Sequence, residues 1–322
     1  MKPMLKYRGG KTKEIPYIMC HVPRFSGRYV EPFFGGGALF FYLEPREAII
    51  NDINSKLMAF YSGVRNDFAK LRLELDEIEK IYKENRLEFD RLKSIHPNEH
   101  VEDKNEAFYY RLRAMFNDIA PKEYSDALLY FYINKTAYSG MIRYNAKGEF
   151  NVPFGRYANL NTSGVTLSHS RLLQRSEVCN SDYSEIFERC QSDDFVFLDP
   201  PYDCVFSDYG NVQYRDGFNE DNHKQLAQDF KNLPCKALMV IGRTPLTEEL
   251  YRSQIVDEYD KSYAVNIRNR FKSEAKHIVI ANYRMGDQND EMPFMQNYAT
   301  YPMPETAHVM LFEEGKTYGK NK

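Results

Sequence analysis

The sequence predicts an α/β fold: a doubly wound, mostly parallel sheet with a helical and β-hairpin segment inserted into it. Three stretches carry that prediction. Phe195-Val196-Phe197-Leu198 is an apolar run that follows the turn-forming pair Asp193-Asp194 and stops at Asp199-Pro200-Pro201-Tyr202. It is too short and too β-prone for a helix and reads as a buried strand of a parallel sheet. Arg28-Tyr29-Val30-Glu31-Pro32-Phe33-Phe34 leads through Gly35-Gly36-Gly37 into the helix-like Ala38-Leu39-Phe40-Phe41-Tyr42-Leu43. A helical pattern over 218–233 then precedes the apolar strand Lys236–Ile241. Strands alternating with helices are the pattern of parallel crossover units.

Composition bounds the rest. With 322 residues, 43% of them apolar, the chain can bury one large core or two smaller ones. The net charge of −3 announces no polyanionic partner, but the basic residues are clustered. Residues 1–13 hold Lys2, Lys6, Arg8, Lys11 and Lys13 without an acid. Residues 127–176 hold Lys135, Arg143, Lys147, Arg156, Arg171 and Arg175 against Glu149 alone, and residues 261–277 hold a third group. Together they could form one anion-binding face or only a solvated surface. The five cysteines lack metal-ligand spacing, and an odd count does not suit a disulfide framework. With no apolar leader and no membrane-length apolar run, a cytoplasmic protein is expected, with neither a membrane nor a metal as partner.

In chain order, Lys6-Tyr7-Arg8-Gly9-Gly10-Lys11 comes first: paired glycines between cations let amides and ammonium groups approach an anion. The glycine turn after Glu31 follows, and then the short strand Ala48-Ile49-Ile50-Asn51 ending at Asp52. An acid there is placed to accept hydrogen bonds from a ribose, as in nucleoside-binding βαβ units. Apolar residues at Val64, Phe68, Leu71, Leu75, Ile78 and Tyr82 predict an amphipathic helix or helix pair from Val64 to about Leu92. A further helix is predicted over Ala107–Phe116, and Tyr130–Ile133 is apolar enough for packing.

Residues 138–157 differ in character. Ile142 and Tyr144, then Phe150 and Val152, flank the turn Asn145-Ala146-Lys147-Gly148, which predicts a hairpin. Arg143, Lys147 and Arg156 alternate there with Tyr138, Tyr144 and Tyr157, a mixture suited to groove reading and base stacking. Beyond Tyr202, residues 206–217 are expected to be a mobile loop over the site. His277–Tyr283 is expected to be the last strand, and residues 284–322 a peripheral or partly disordered extension.

These motifs, in this order, resemble those of the Dam family, the α class (D12) of DNA adenine-N6 methyltransferases. The matching residues are Lys6-Tyr7-x-Gly9-Gly10-Lys11, Glu31-Pro32-Phe33-x-Gly35-Gly36-Gly37-Ala38, Asn51-Asp52-Ile53-Asn54, Gly148 to Tyr157, and Asp199-Pro200-Pro201-Tyr202. The resemblance spans residues 1–283. It implies a Rossmann-like catalytic domain made of residues 1–62 and 165–283, a DNA target-recognition insertion over 63–164, and S-adenosyl-L-methionine as cofactor. The cofactor residues it implies are Tyr7, Lys11, Phe33, Gly35, Gly36, Gly37, Asp52, Ile53, Asp182 and Asp199, although Asp182 could equally be a turn aspartate. Asp199, Pro200 and Tyr202 would be catalytic. Lys6, Tyr138, Ser139, Arg143, Lys147, Pro153 and Arg156 would meet double-stranded DNA, with Tyr138 intercalating and Arg143 reading a guanine in GATC. Ser139 departs from the family, whose nearest members carry asparagine there.

The chemistry fits these residue types. An exocyclic amine conjugated to a purine is a poor nucleophile; Asp199 and the Pro200 carbonyl can accept its two N–H bonds and favour a pyramidal nitrogen. Tyr202 can stack on a base flipped from the duplex. Cytosine-N4 methylation and methylation of RNA would use the same chemistry, and a non-catalytic DNA-binding protein on this scaffold is the reading from another class. A cognate restriction endonuclease acting separately would be a natural partner. A cytosine-C5 mechanism would need a nucleophilic cysteine, and Cys235 precedes a strand where such a residue should end one. The glycine spacing is also wrong for a dinucleotide.

Overall fold

The structure is a computed structural model that describes residues 1–7, 9–140, 142–202, 218–261 and 275–284. The loop expected over 206–217 and all but the first residue of the expected extension lie outside them. Residues Met1–Met285 form one compact unit.

The elements run α1 (Ile15–Met19), β1 (Tyr29–Glu31), α2 (Ala38–Leu43), β2 (Ala48–Asn51), α3 (Ser55–Asn66), α4 (Phe68–Ile95), α5 (Lys104–Phe116), α6 (Asp126–Thr136), α7 (Leu167–Gln174), β3 (Ser176–Cys179), α8 (Tyr183–Phe187), β4 (Phe195–Leu198), α9 (Glu220–Asn232), β5 (Lys236–Gly242), α10 (Pro245–Tyr251), β6 (Ile255–Lys261) and β7 (Ala275–Ala281). One seven-stranded sheet has the order β3-β2-β1-β4-β5-β7-β6. Its first five strands pair in parallel, and β7 enters antiparallel between β5 and β6. This is the expected doubly wound α/β sheet, in its Rossmann-like methyltransferase form.

The central strands read as apolar runs because both of their faces are covered. Tyr29, Val30, Phe195 and Val196 are fully buried, and they are the residues in register between β1 and β4. Two apolar clusters lie on opposite faces of the sheet. One contains Phe195 and Phe197 with α3 to α6, the other Val196 and Leu198 with α8 and α9. The amphipathic pattern from Val64 crosses a break at Asp67, so it is shared by the end of α3 and by α4. Val64, Leu71, Leu75, Ile78 and Tyr82 all face the core as their spacing requires.

The segment between β2 and β3 is mostly helical: α3 to α7 precede the return to the sheet. The predicted hairpin is present but short. Its turn forms, with the Gly148 N–H donating to the Asn145 carbonyl (2.9 Å) and Gly148 at φ 77°. Its arms pair briefly: Tyr144 bridges Phe150, the Asn145 N–H donates to the Glu149 carbonyl (2.9 Å) and the Asn151 N–H to the Arg143 carbonyl (3.1 Å), and Ala137 bridges Phe154. The second arm also bonds to side chains. Asn117 accepts from the Phe150 N–H and donates to its carbonyl, while Tyr109 and Arg113 donate to the Val152 carbonyl.

Candidate active site

Strand order reverses between β1 and β4, because the crossover from β1 leads to β2 on one side while β4 lies on the other. Ligands of open α/β sheets bind at the carboxyl ends of the strands beside such a switch point. There an open cleft of about 840 Å³, including the solvent at its mouth, is lined by the first-turn residues Tyr7 to Lys11, the glycine turn, Asp52, Ile53 and Asp199 to Tyr202. Arg8 lies outside the described residues.

The glycine turn is shaped by close approach. Gly35 (φ 48°) and Gly37 (φ 63°) both adopt the left-handed conformation. A Cβ on Gly35 would meet the Tyr7 ring at 2.7 Å, and one on Gly37 would meet the Phe34 ring at 2.4 Å. Tyr61 donates to the Gly35 carbonyl (2.9 Å), and Asp52 accepts from the Gly35 N–H (2.9 Å) and the Asn54 N–H (2.9 Å). Asn51 braces the neighbouring loops, donating to the carbonyls of Pro32 and Ser181 (both 3.0 Å). Phe33 packs against Tyr183, with centroids 5.3 Å apart.

The acid-Pro-Pro-Tyr turn also lines the cleft. The Lys11 ammonium, only 2% exposed, donates to Asp199 Oδ1 (2.5 Å), to the Tyr202 hydroxyl (2.6 Å) and to the Gly9 carbonyl (3.1 Å). Lys11 therefore bonds to the acid-Pro-Pro-Tyr turn as well as lining the cleft. Asp182 stands apart from the lining. It caps α8, accepting from the Ser184 N–H (3.0 Å) and hydroxyl (2.7 Å), while its neighbours Ser181 and Tyr183 face the cleft.

Glu31 lines the cleft too, although the sequence motif that contains it gave it no role. It ends β1 beside Asp199, is 2% exposed and accepts from the Tyr29 hydroxyl (2.8 Å). Burial holds its carboxyl well above the usual carboxylate range; the Asp199 and Asp52 charges add to this, and Tyr29 and Lys11 oppose it. Burial likewise raises Asp52, against the two N–H groups it accepts from. An acid closing a strand just before a glycine turn was the available signal.

The seven residues expected at the DNA are all solvent-exposed, Tyr138 by 57%. Lys6 is tied to α6 through Asn134, which accepts from its N–H (2.9 Å) and donates to its carbonyl (2.7 Å). The Lys6 ammonium lies 4.2 Å over the Tyr157 ring. Tyr138 N–H donates to the Pro153 carbonyl (2.9 Å), which joins the two stretches of this face. Ser139 sits at φ 55°, a conformation asparagine adopts more readily. Arg143 Nε donates to Asn151 Oδ1 (2.8 Å), and Arg156 pairs with Glu106 at 3.2 Å. Lys135 was not expected here; burial, then the nearby Lys6, pulls its pKa down to about 8.

Among the described residues no cluster of His, Cys, Asp and Glu could hold a metal, and no helix is long and apolar enough to cross a membrane. Comparison with known proteins completes the picture. The family model of the D12 class N6 adenine-specific DNA methyltransferases matches residues 7–267. The Type II methyltransferase M.CviBI of Paramecium bursaria Chlorella virus NC1A is 35% identical over 291 residues, 88% of this chain and 100% of its own. M.MjaIII of Methanocaldococcus jannaschii, another Type II methyltransferase, is 34% identical over 281 residues, 82% of this chain and 88% of its own. The DNA adenine methylase of Salmonella typhi is 29% identical over 278 residues, 84% of this chain and 90% of its own. A seven-stranded sheet of this order, an acid-Pro-Pro-Tyr turn at its switch point and a family match over most of the length lead to one conclusion: the chain belongs to the D12 class of N6 adenine-specific DNA methyltransferases.

Proposed function

We propose that the protein transfers a methyl group from S-adenosyl-L-methionine to N6 of adenine in double-stranded DNA, within GATC or a related short site, after flipping the base. The observation that carries the cofactor is the charge of the cleft. Glu31, Asp52 and Asp199 line it, and Lys11 is the one cation among its described lining residues. Burial disfavours the charged forms of Glu31 and Asp52, so a ligand carrying positive charge in this nucleoside-sized cleft would be held by restoring their ionisation, and the close-packed glycine turn leaves backbone where side chains would otherwise intrude. Tyr7, Phe33, the glycine turn, Asp52 and Ile53 would hold the cofactor, which when bound supplies an electrophilic methyl group. Asp182, a helix cap beside the cleft, would act on the adenine end by shaping its loop.

The remaining chemistry belongs to the chain. Asp199 and the Pro200 carbonyl accept N–H bonds from the target amine, and the two prolines hold that carbonyl in place beforehand. Tyr202 stacks on the base. Lys11 must yield part of its bond to Asp199 when the amine arrives. Tyr138 enters the duplex, and Lys6, Ser139, Lys147, Pro153 and Arg156 follow its backbone, with Lys135 as a further cation. The Type II names of two relatives are consistent with a cognate restriction endonuclease acting separately, and a cytoplasmic location suits the substrate.

The test is incubation with labelled cofactor and unmethylated DNA, followed by nucleoside analysis and mapping of modified sites. Label in N6-methyladenine supports the reading; label only in N4-methylcytosine, or only in RNA, refutes it.

Two substitutions probe its parts. Asp52→Ala should weaken cofactor binding by roughly 1.5–3 kcal/mol, more than it weakens DNA binding. Because Asp52 also holds the Gly35 and Asn54 N–H groups, the melting temperature should fall too. Calorimetry showing unchanged cofactor affinity would remove Asp52 from the site. Arg143→Ala should cost about 1–3 kcal/mol on the cognate site and relax preference at one base position, since a guanidinium can donate to guanine O6 and N7 together. Methylation of single-base-substituted duplexes decides the matter. A uniform slowing with preference unchanged would make Arg143 a phosphate anchor.

A further inference from the structure

Behind the catalytic turn lies a buried polar group of residues that does not line the cleft. Glu14 follows Lys11 by one turn of chain, and its N–H donates to the Lys11 carbonyl (2.8 Å). Glu14 Oε2 lies 2.8 Å from His277 Nδ1 on β7 and accepts from the Tyr259 hydroxyl on β6 at 2.6 Å. Glu14 is 6% exposed and His277 is fully buried. The His277 ring in turn stands edge-on to Tyr202, with centroids 5.2 Å apart and planes at 75°.

Tyr202 is thus held at two ends. Its hydroxyl meets the Lys11 ammonium at 2.6 Å, and its ring rests on His277. Both supports trace back to the chain turn between Lys11 and Glu14. Burying a carboxylate against an imidazole is a poor route to stability, because desolvation offsets most of the attraction and an apolar pair of similar size would serve as well. What the pair adds is one defined arrangement: it fastens the segment carrying Lys11 to the far strands and sets the ring plane of Tyr202.

We infer that Glu14 and His277 are positioning residues for methyl transfer, acting through Tyr202 without touching substrate or cofactor. The inference rests on the reading of Tyr202 as the residue that stacks on the target base.

The experiment measures single-turnover transfer from labelled S-adenosyl-L-methionine to plasmid DNA lacking adenine methylation, with both substrates saturating. Wild type, Glu14→Gln and His277→Leu are each compared with and without Tyr202→Ala. Either single variant should lose about tenfold to a hundredfold in rate, the scale of a small misplacement of reacting groups, with cofactor affinity nearly unchanged. In the Tyr202→Ala background the same changes should lower the rate by no more than about twofold, since residues acting through one partner are not additive. Rate losses that multiply across the two backgrounds would overturn the inference. So would a lowered melting temperature with wild-type rate, or failure of both variants to fold, since each assigns the pair to stability alone. A wild-type protein without transfer would overturn the functional reading itself, and the inference with it.

Discussion

Asp199→Ala is expected to reduce methyl transfer by about 100- to 10,000-fold, the usual contribution of a group that orients or accepts a proton from the reacting atom. The carboxylate stands at the carboxyl end of β4, in the cleft, and Lys11 reaches it at 2.5 Å. Removing it also leaves a buried ammonium without its counter-ion, so the alanine variant should melt earlier than wild type. Asp199→Asn separates the two effects: it keeps an acceptor oxygen and most of the volume, and should retain more stability while remaining strongly impaired. Cofactor affinity is to be measured alongside, because Asp199 faces the same cleft. Turnover within a factor of a few of wild type, in folded protein, would end the assignment.

The second large effect is on stability, at the opposite end of the same strand. Asp194 accepts from four donors: the Arg28 N–H (2.8 Å), Arg28 Nε (3.2 Å), Arg28 Nη2 (2.7 Å) and the Gln191 N–H (2.9 Å). It clamps the entry of β1 to the entry of β4. Burial alone would raise its pKa, but the bonds from Arg28 and Gln191 outweigh that, and the carboxyl lies below its usual range. Asp194→Ala strands these donors and should cost about 3–5 kcal/mol, the range for removing one partner of a buried ion pair. A carboxylate whose folded-state pKa is lowered stabilises fully above its unfolded value and loses that contribution as pH falls through the folded one. The Asp194 contribution should therefore be intact at neutral pH and disappear in acid, below about pH 4. Denaturant titrations of both proteins at pH 7 and in acid check this. A loss under about 1 kcal/mol at pH 7, or a difference that grows on acidification, would contradict it.

Local chemistry makes much of this protein legible in its sequence. The buried strands β1, β2, β4 and β5 are apolar on both faces, so their runs stand out, and the turns ending them carry residues that cannot continue a strand. Strands β3 and β6 were not legible. Both lie at sheet edges, and Ser176-Glu177-Val178-Cys179 and Ile255-Val256-Asp257-Glu258-Tyr259-Asp260-Lys261 mix charge with apolar residues because one side faces solvent. The hairpin was legible as a turn with a short pairing, but not in its bonds to Tyr109 of α5 and Asn117 just beyond it, which are far off in sequence.

The sequence by itself determined the central strands, the glycine turn and the acid-Pro-Pro-Tyr turn, because each rests on neighbours in the chain. Only the tertiary structure decided which of these side chains meet. Lys11 and Asp199 are 188 positions apart, and Glu14 and His277 are 263 apart. No periodicity or turn preference spans such distances. These contacts exist because strand order brings the carboxyl ends of β1 and β4 together and because β7 inserts beside β5, facts of topology that local residue patterns do not carry.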